Sequence, residues 1–166
     1  EILALETTYQ MGEDAKVDYN PIEKYLKCKD LQDAGFTVDD IAGMMDVKPG
    51  EVRTMLSALQ LMDDYLDEYD YSGMYTQLDK NEDSFLKLDS ALKKYKAGVP
   101  SMWAYDPDAD VSDLKLVAFD YIREGFEQTL FRNIISAPSA KKPASSFFAK
   151  EEVWKDFRDR HFEITD

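Results

Sequence analysis

With 166 residues, the chain is long enough for one moderate domain or two small ones, and for a real hydrophobic core. Its 44% hydrophobic and 13% aromatic content points to a folded globular protein and away from disorder. Acidic residues outnumber basic ones 34 to 20, a formal charge of −14, which favours solubility and repels nucleic acid at long range, so any contact with DNA must come from local patches.

Cys28 is the only cysteine, which excludes an internal disulfide and fits a reducing, cytoplasmic setting. No apolar run approaches the roughly 20 residues of a membrane span, and the opening residues do not resemble a signal peptide. The chain opens at Glu1 without an initiator Met, so the expectation is a fragment or processed form, with 1–18 as the lead-in from a missing upstream domain.

In chain order, "ILALETTYQM" is helical or extended and too short to assign. Asn20 and Pro21 then suit an N-cap and first helical position, opening a helix with Ile22, Tyr25, Leu26 and Leu31 near one face and Gly35 as its stop. Thr37 is the next cap, and Asp40 three residues later makes a capping-box-like pair. Ile41, Ala42 and Met45 form the apolar stripe of a short second helix. "DVKPGE" is a turn punctuated by Pro49 and Gly50, and Val47 is its apolar member. Val52, Met55, Leu56 and Leu59 then give the i, i+3, i+4, i+7 pattern of a third helix, with Val52 and Leu56 locking it to the second. "LMDDYLDEYDYSG" continues that helix, acidic on its outer face, to Ser72-Gly73.

A second unit is expected from about residue 71. Phe85, Leu88, Leu92 and Tyr95 mark a helix ending at Gly98, and "VPSMWAYDPDADVS" is a loop. A helix starting near Asp113 follows, lined by Leu114, Val117, Ala118, Tyr121 and Ile122 and ended by Gly125, and "FEQTLFRNII" suggests one more. "SAPSAKKPASS" has linker composition. The tail carries Trp154, Phe157 and Phe162 in an amphipathic helix that needs a partner surface, either its own domain or a second subunit in a homodimer.

Candidate chemistry is sparse. Asp106, Asp108 and Asp110 alternate as in a calcium loop, but the positions where that loop requires Gly and Glu hold Val111 and Val117. Capping by Asp110 or Ser112 of the helix near Asp113 is the better reading. One histidine, His161, and one cysteine cannot supply the four ligands of a zinc site, and a Cys–His nucleophile pair would need two distant singletons to meet. No carboxylate pair stands out in an apolar setting that would tune a general acid, so no enzyme, cofactor or metal site is expected. "MDDYLDEYDY" reads as a solvated acidic face, or as a surface for a basic partner. "KKPASSFFAK" is the one locally basic stretch, with Lys141, Lys142 and Lys150 beside Phe147 and Phe148. It reads as a tether whose rings dock on the parent domain or a second subunit, or as a contact to nucleic acid.

The stretch "YNPIEKYLKCKDLQDAGFTVDDIAGMMDVKPGEVRTMLSALQLMDDYL", residues 19–66, resembles the central helix-turn-helix region of ParB-type partition proteins. Asn20-Pro21-Ile22-Glu23, Gly35-Phe36-Thr37, Asp39-Asp40-Ile41-Ala42 and the run from Leu56 to Leu61 stand where that family has its Asn/Ser-Pro-Ile/Leu-Glu start, its Gly-x-Thr opening with paired acids, and its leucine-rich third helix. Beyond this region the likeness is to general helicity and, faintly, to phage-borne members. The resemblance implies a DNA-binding module downstream of a domain that binds and hydrolyses CTP. The last landmark of that domain would fall near "ETTYQMGED", which has no Arg, so nucleotide chemistry is not expected of this chain.

The expected architecture is all-α: a helix-turn-helix domain at 19–70, a helical bundle at 71–136, and a linker with a C-terminal helix at 137–166. The first functional expectation is duplex DNA binding in partition or in phage or plasmid gene regulation. Lys48, Arg53 and Thr54 would read the groove, Gly50 would let backbone N–H groups approach a phosphate, and Lys24 and Lys27 would hold the phosphate backbone, with Lys29 beside them. Glu51 departs from the family pattern and would repel a phosphate. Between Asn20 and Asp70 there are five basic and twelve acidic residues, few cations for phosphate neutralisation. The alternative is an acidic protein-interaction module that keeps the ParB-like fold without binding DNA.

Overall fold

The computed structural model describes residues 21–78, 80–99, 103–137, 148 and 150–160. Among them the chain is all helical, as its patterning predicts. The elements are α1 (Pro21–Asp33), α2 (Val38–Met45), α3 (Pro49–Glu68), a 3-10 turn (Tyr75–Leu78), α4 (Glu82–Ala97), α5 (Ala109–Glu124), α6 (Gln128–Ile135) and α7 (Glu151–Arg160). The expected lead-in at 1–18 and most of the expected linker lie outside the described residues. Two compact units divide the chain, Glu1–Glu82 and Asp83–Asp166, so the division falls later than the composition break at residue 70.

In the first unit, local chemistry fixes where α2 begins and ends. Thr37 Oγ1 accepts from the Asp40 N–H at 3.2 Å, and the Asp40 carboxylate accepts from the Thr37 N–H at 3.2 Å, a complete capping box. Asp46 ends the helix in the left-handed region at φ 54°, a conformation a short polar side chain tolerates and a β-branched one does not. Pro49 then starts α3 at a position where a missing N–H costs nothing. The pivot of the turn is therefore Asp46, and Gly50 lies inside α3.

Ile22, Tyr25, Cys28 and Leu31 of α1 pack with Ile41, Ala42 and Met45 of α2 and with Val52, Met55, Leu59, Met62 and Leu66 of α3, all of them buried. Leu26 and Leu56 are only half-buried, against expectation. The α1 stripe steps by three residues from Ile22 to Leu31, which turns Leu26 off it, and Met55 takes the inward position beside Leu56. α3 ends at Glu68, short of Ser72-Gly73, with Asp70 at φ 60° just beyond it. The segment that follows folds back onto α3 and α1. Tyr75 donates its hydroxyl to Asp63 Oδ1 at 2.9 Å, Leu78 is fully buried, and Tyr25 donates to Glu82 Oε1 at 2.7 Å. Those links carry the first unit to Glu82.

The second unit packs Phe85, Leu88, Leu92 and Tyr95 of α4 with the buried faces of α5, α6 and α7. α5 starts at Ala109, four residues before the expected Asp113; Asp108 is its N-cap residue and caps nothing with its own side chain, and the backbone donors at the helix start are met by Asp106 rather than by Asp110 or Ser112. Asp106 Oδ1 accepts from the N–H groups of Asp108 (2.8 Å) and Ala109 (3.0 Å), and its own N–H donates to Asp110 Oδ2 at 2.7 Å. Those hydrogen bonds hold the Asp106 carboxyl below its ordinary range. The loop that looked like a calcium ligand set thus uses two of its carboxylates on backbone donors, and Val111 and Val117 are buried in the core. Glu127 starts α6, accepting from Thr129 N–H at 2.9 Å and Leu130 N–H at 3.1 Å.

The C-terminal aromatics turn into their own unit. Phe148, Trp154 and Phe157 are buried, and Phe148 lies 4.7 Å from the Tyr95 ring, 4.9 Å from Tyr105 and 5.1 Å from Trp154. Trp103 Nε1 donates to the Phe148 carbonyl at 2.9 Å, Tyr105 to the Tyr95 carbonyl at 2.6 Å, and Tyr95 to the Ser136 carbonyl at 2.9 Å. Phe148, Trp154 and Phe157 thus pack within their own unit, while Phe147 and Phe162 lie outside the described residues.

Candidate nucleic-acid interface

α1, α2 and α3 are the three helices of the segment expected as a helix-turn-helix, and the start of α3 is exposed. Lys48 sits at the N-cap in an extended conformation, with no side-chain bond to the helix. The N–H groups of Glu51 and Val52 both return to the Lys48 carbonyl, at 3.0 and 3.3 Å. Pro49 has no N–H, so Gly50 offers the first one that no described group accepts. A Cβ built at Gly50 would meet nothing within 4 Å, so an approaching group can come close to the backbone there. The positive end of the helix dipole adds to the pull on an anion.

Lys48 and Arg53 are exposed, and neither forms an ion pair among the described residues. Thr54 is exposed, but its hydroxyl donates to the Gly50 carbonyl one turn back at 3.0 Å. Its proton is engaged inside the helix, which leaves it an acceptor and a methyl group, less of a base reader than the sequence suggests. On α1, Lys24 and Lys27 are half-buried and carry no described ion pair, while Lys29 is bound to Asp33 at 3.0 Å. The structure therefore places Lys48, Gly50 and Arg53 together at one helix start, with Thr54 beside them. Lys24 and Lys27 lie on a separate helix of the same unit.

Ser57 and Gln60 continue the outward stripe set by Gly50 and Arg53, and sequence reasoning missed both. The signal was available as the three- and four-residue steps 50, 53, 57, 60, the outer counterpart of the buried set. Gln60 Nε2 donates to Asp64 Oδ1 at 3.1 Å, and from there the stripe becomes acidic. Asp63 is pushed above the ordinary carboxyl range, first by burial and then by Asp67 and Asp64, with the Tyr75 hydrogen bond opposing. Burial and the Asp63 carboxylate push the Tyr75 hydroxyl up to about 12. With its N-cap Lys48, the 20-residue α3 thus starts with two cations against Glu51 and is acidic in its last two turns. Glu51 sits at the cationic end, where it favours the helix through its dipole and opposes a phosphate.

Beneath this surface Cys28 is fully buried, its Sγ 3.3 Å from Met45 Sδ and 3.9 Å from Met55 Sδ. Burial pushes the thiol up to about 11, against a smaller opposing effect of Lys24. At pH 8 the native thiol is expected to react with iodoacetamide at least about a hundredfold more slowly than in denaturant, since both thiolate fraction and access fall. Equal rates in the two states would mean that the α1–α3 core opens freely.

Among the described residues no helix is long and apolar enough to cross a membrane, and no three His, Cys, Asp or Glu side chains gather as a metal site. Comparison with protein-family models, with curated proteins and with solved structures finds no match to this chain.

Proposed function

We propose that the first unit binds duplex DNA weakly through the start of α3, as the helix-turn-helix region of a ParB-like protein acting in partition or in phage or plasmid gene regulation. The observation that carries the reading is the group of two exposed cations, Lys48 and Arg53, without an ion pair among the described residues, around a Gly50 N–H that no described group accepts, at the start of the second helix of the motif. In such motifs the N-terminal residues of that helix meet the base edges while the preceding helix crosses the phosphate backbone, the role left to Lys24 and Lys27. The reading is non-enzymatic. A single thiol kept buried and protonated supports a reducing, cytoplasmic location.

Magnitude sets the expected behaviour. Two to four cations neutralising phosphates give a log–log salt slope of about −2 to −4, so binding is shallow in salt and best seen at low ionic strength. The test is fluorescence anisotropy of a duplex pool titrated from low to physiological salt. Arg53→Ala with Lys48→Ala should abolish the signal, and Lys24→Ala should weaken it evenly across sequences. Wild-type binding by the double variant, or flat traces at the lowest salt, would remove α3 as a reader.

A second reading is favoured by one observation, the acidic end of α3. Asp63, Asp64, Asp67 and Glu68 stand there, and Met74, six residues past the helix end, is 48% exposed. That surface suits a basic protein partner. Charge reversal at Asp64 and Asp67 would then remove a pulldown that Arg53→Ala leaves intact.

A further inference from the structure

A second charged feature lies in the other unit and takes no part in the helix-turn-helix. A trough of about 830 Å³ runs along α4 and is closed on its far side by α6. Its floor is apolar, from Leu86, Ala91 and Ile135. Its rim carries three cations, Lys87 and Lys94 from α4 and Arg132 from α6. Lys87 is paired with Asp83. Lys94 has no ion pair among the described residues, and Arg132 donates to the Gln128 carbonyl at 3.5 Å and lies close enough to the Glu127 carboxylate to stabilise its charge. The cations are not the overflow of a basic chain. The unit 83–166 holds 13 basic and 15 acidic residues, so it is close to neutral, and the trough concentrates positive charge around an apolar strip.

We propose that this trough is a docking site for an acidic amphipathic helix of a partner protein. The lining runs from Leu86 to Ala97 along α4, about 16 Å at the helical rise, and it is open along its length. A small ligand in an open trough of that length would leave much of its surface in water, which favours a chain segment. Nucleic acid offers a phosphate row with nothing for the apolar floor, and three cations, one of them already paired, are few for it. A helix with an apolar stripe fills the floor and brings carboxylates to the rim. Lys87 and Lys94 are seven residues apart, about 10 Å along α4, which matches carboxylates two turns apart on the incoming helix. The chain's own acidic helix is excluded as occupant, because the apolar face of α3 (Leu59, Met62, Leu66) is already buried in the first unit. The sequence leaving the trough after Ala137 adds Lys141 and Lys142, so it supplies no counter-charge either.

The test uses the whole chain and three fluorescein-labelled probes. One is a helical peptide of about 18 residues, with Leu and Ile in an i, i+3, i+4, i+7 stripe flanked by Glu. The second is the same composition scrambled, and the third is a duplex of about 20 base pairs. Saturable anisotropy is expected with the patterned peptide, and binding about tenfold weaker or less with the scrambled one. Lys94→Glu with Arg132→Glu should lower affinity for the patterned peptide by about tenfold or more. Ser90→Trp, which fills the trough from an exposed position without changing charge, should do the same. Arg53→Ala should leave peptide binding unchanged, which separates this site from the proposed DNA surface. Equal binding of the scrambled peptide, binding indifferent to both trough variants, or no binding at low salt would each overturn the proposal. So would a duplex that displaces the peptide and is lost with the Lys94 and Arg132 reversals.

Discussion

Trp154→Ala is expected to destabilise the second unit by about 3–5 kcal/mol, and Trp154→Phe by about 1 kcal/mol or less. Trp154 is fully buried on α7, 5.1 Å from the Phe148 ring and 6.4 Å from Phe157. Truncation to Ala empties a site between Phe157 and Phe148, whose backbone carbonyl is pinned by Trp103 Nε1, so the surroundings collapse into it only in part. The phenylalanine case differs because of one atom. Trp154 Nε1 is buried without an acceptor among the described residues, and an unsatisfied buried donor costs about 1–3 kcal/mol. Phe removes that donor along with part of the ring, and the two effects oppose each other. Both tryptophans, Trp103 and Trp154, lie in the second unit, so in the Phe variant the remaining indole still follows its unfolding in urea. For the Ala variant, Trp103 serves the same purpose. A loss below 1 kcal/mol for Trp154→Ala would mean that α7 is not packed on its unit in solution, and the homodimer surface would regain its claim on these rings.

Where the sequence was legible, the reason was local. Thr37 and Asp40 are three residues apart, the reach of a capping box, and Gly35, at φ 98°, marks the end of α1. The buried residues of α3 and α5 recur at helical spacing, so their faces could be read directly from the chain. Two kinds of feature were not legible. Competing caps are one: Asp106, Asp110 and Ser112 are all good candidates, and which of them wins depends on a turn between Asp106 and Ala109 that composition does not encode. Contacts across long stretches of chain are the other. Nothing near Tyr25 announces Glu82, and nothing near Trp103 announces the Phe148 carbonyl. At the candidate interface, Lys48, Gly50 and Arg53 were legible because one helix start holds all three. The engagement of Thr54 is not legible, although its partner is only four residues away, because a hydroxyl one turn along a helix can face either solvent or the preceding carbonyl.

A crossed pair of substitutions on α3 separates the scaffold from the surface it presents. Leu59→Ala is expected to cost the first unit about 2–5 kcal/mol, since Leu59 is 1% exposed in the middle of the α1–α3 core. Arg53→Ala, six residues earlier on the outer face, should change stability by no more than about 0.5 kcal/mol. Duplex binding should respond the other way round. Arg53→Ala should lose about 1–3 kcal/mol of affinity, roughly tenfold to a hundredfold, if it reaches a base edge. Leu59→Ala, measured well below its own melting temperature, should keep wild-type affinity. Circular dichroism of the helices follows the first unit, where tryptophan fluorescence is silent. If Leu59→Ala weakens binding while still folded, the geometry of α3 is tuned by its core, and Lys48 and Arg53 owe their role to that placement. If neither substitution changes duplex binding, the outer face of α3 carries cations that no phosphate meets, and the acidic end of the same helix becomes the surface to follow. Affinity lost at Arg53 with stability kept is the pattern that leaves the helix-turn-helix as a DNA reader built on an otherwise acidic chain, and the Leu59 result then says whether the core tunes that reader or only holds it up.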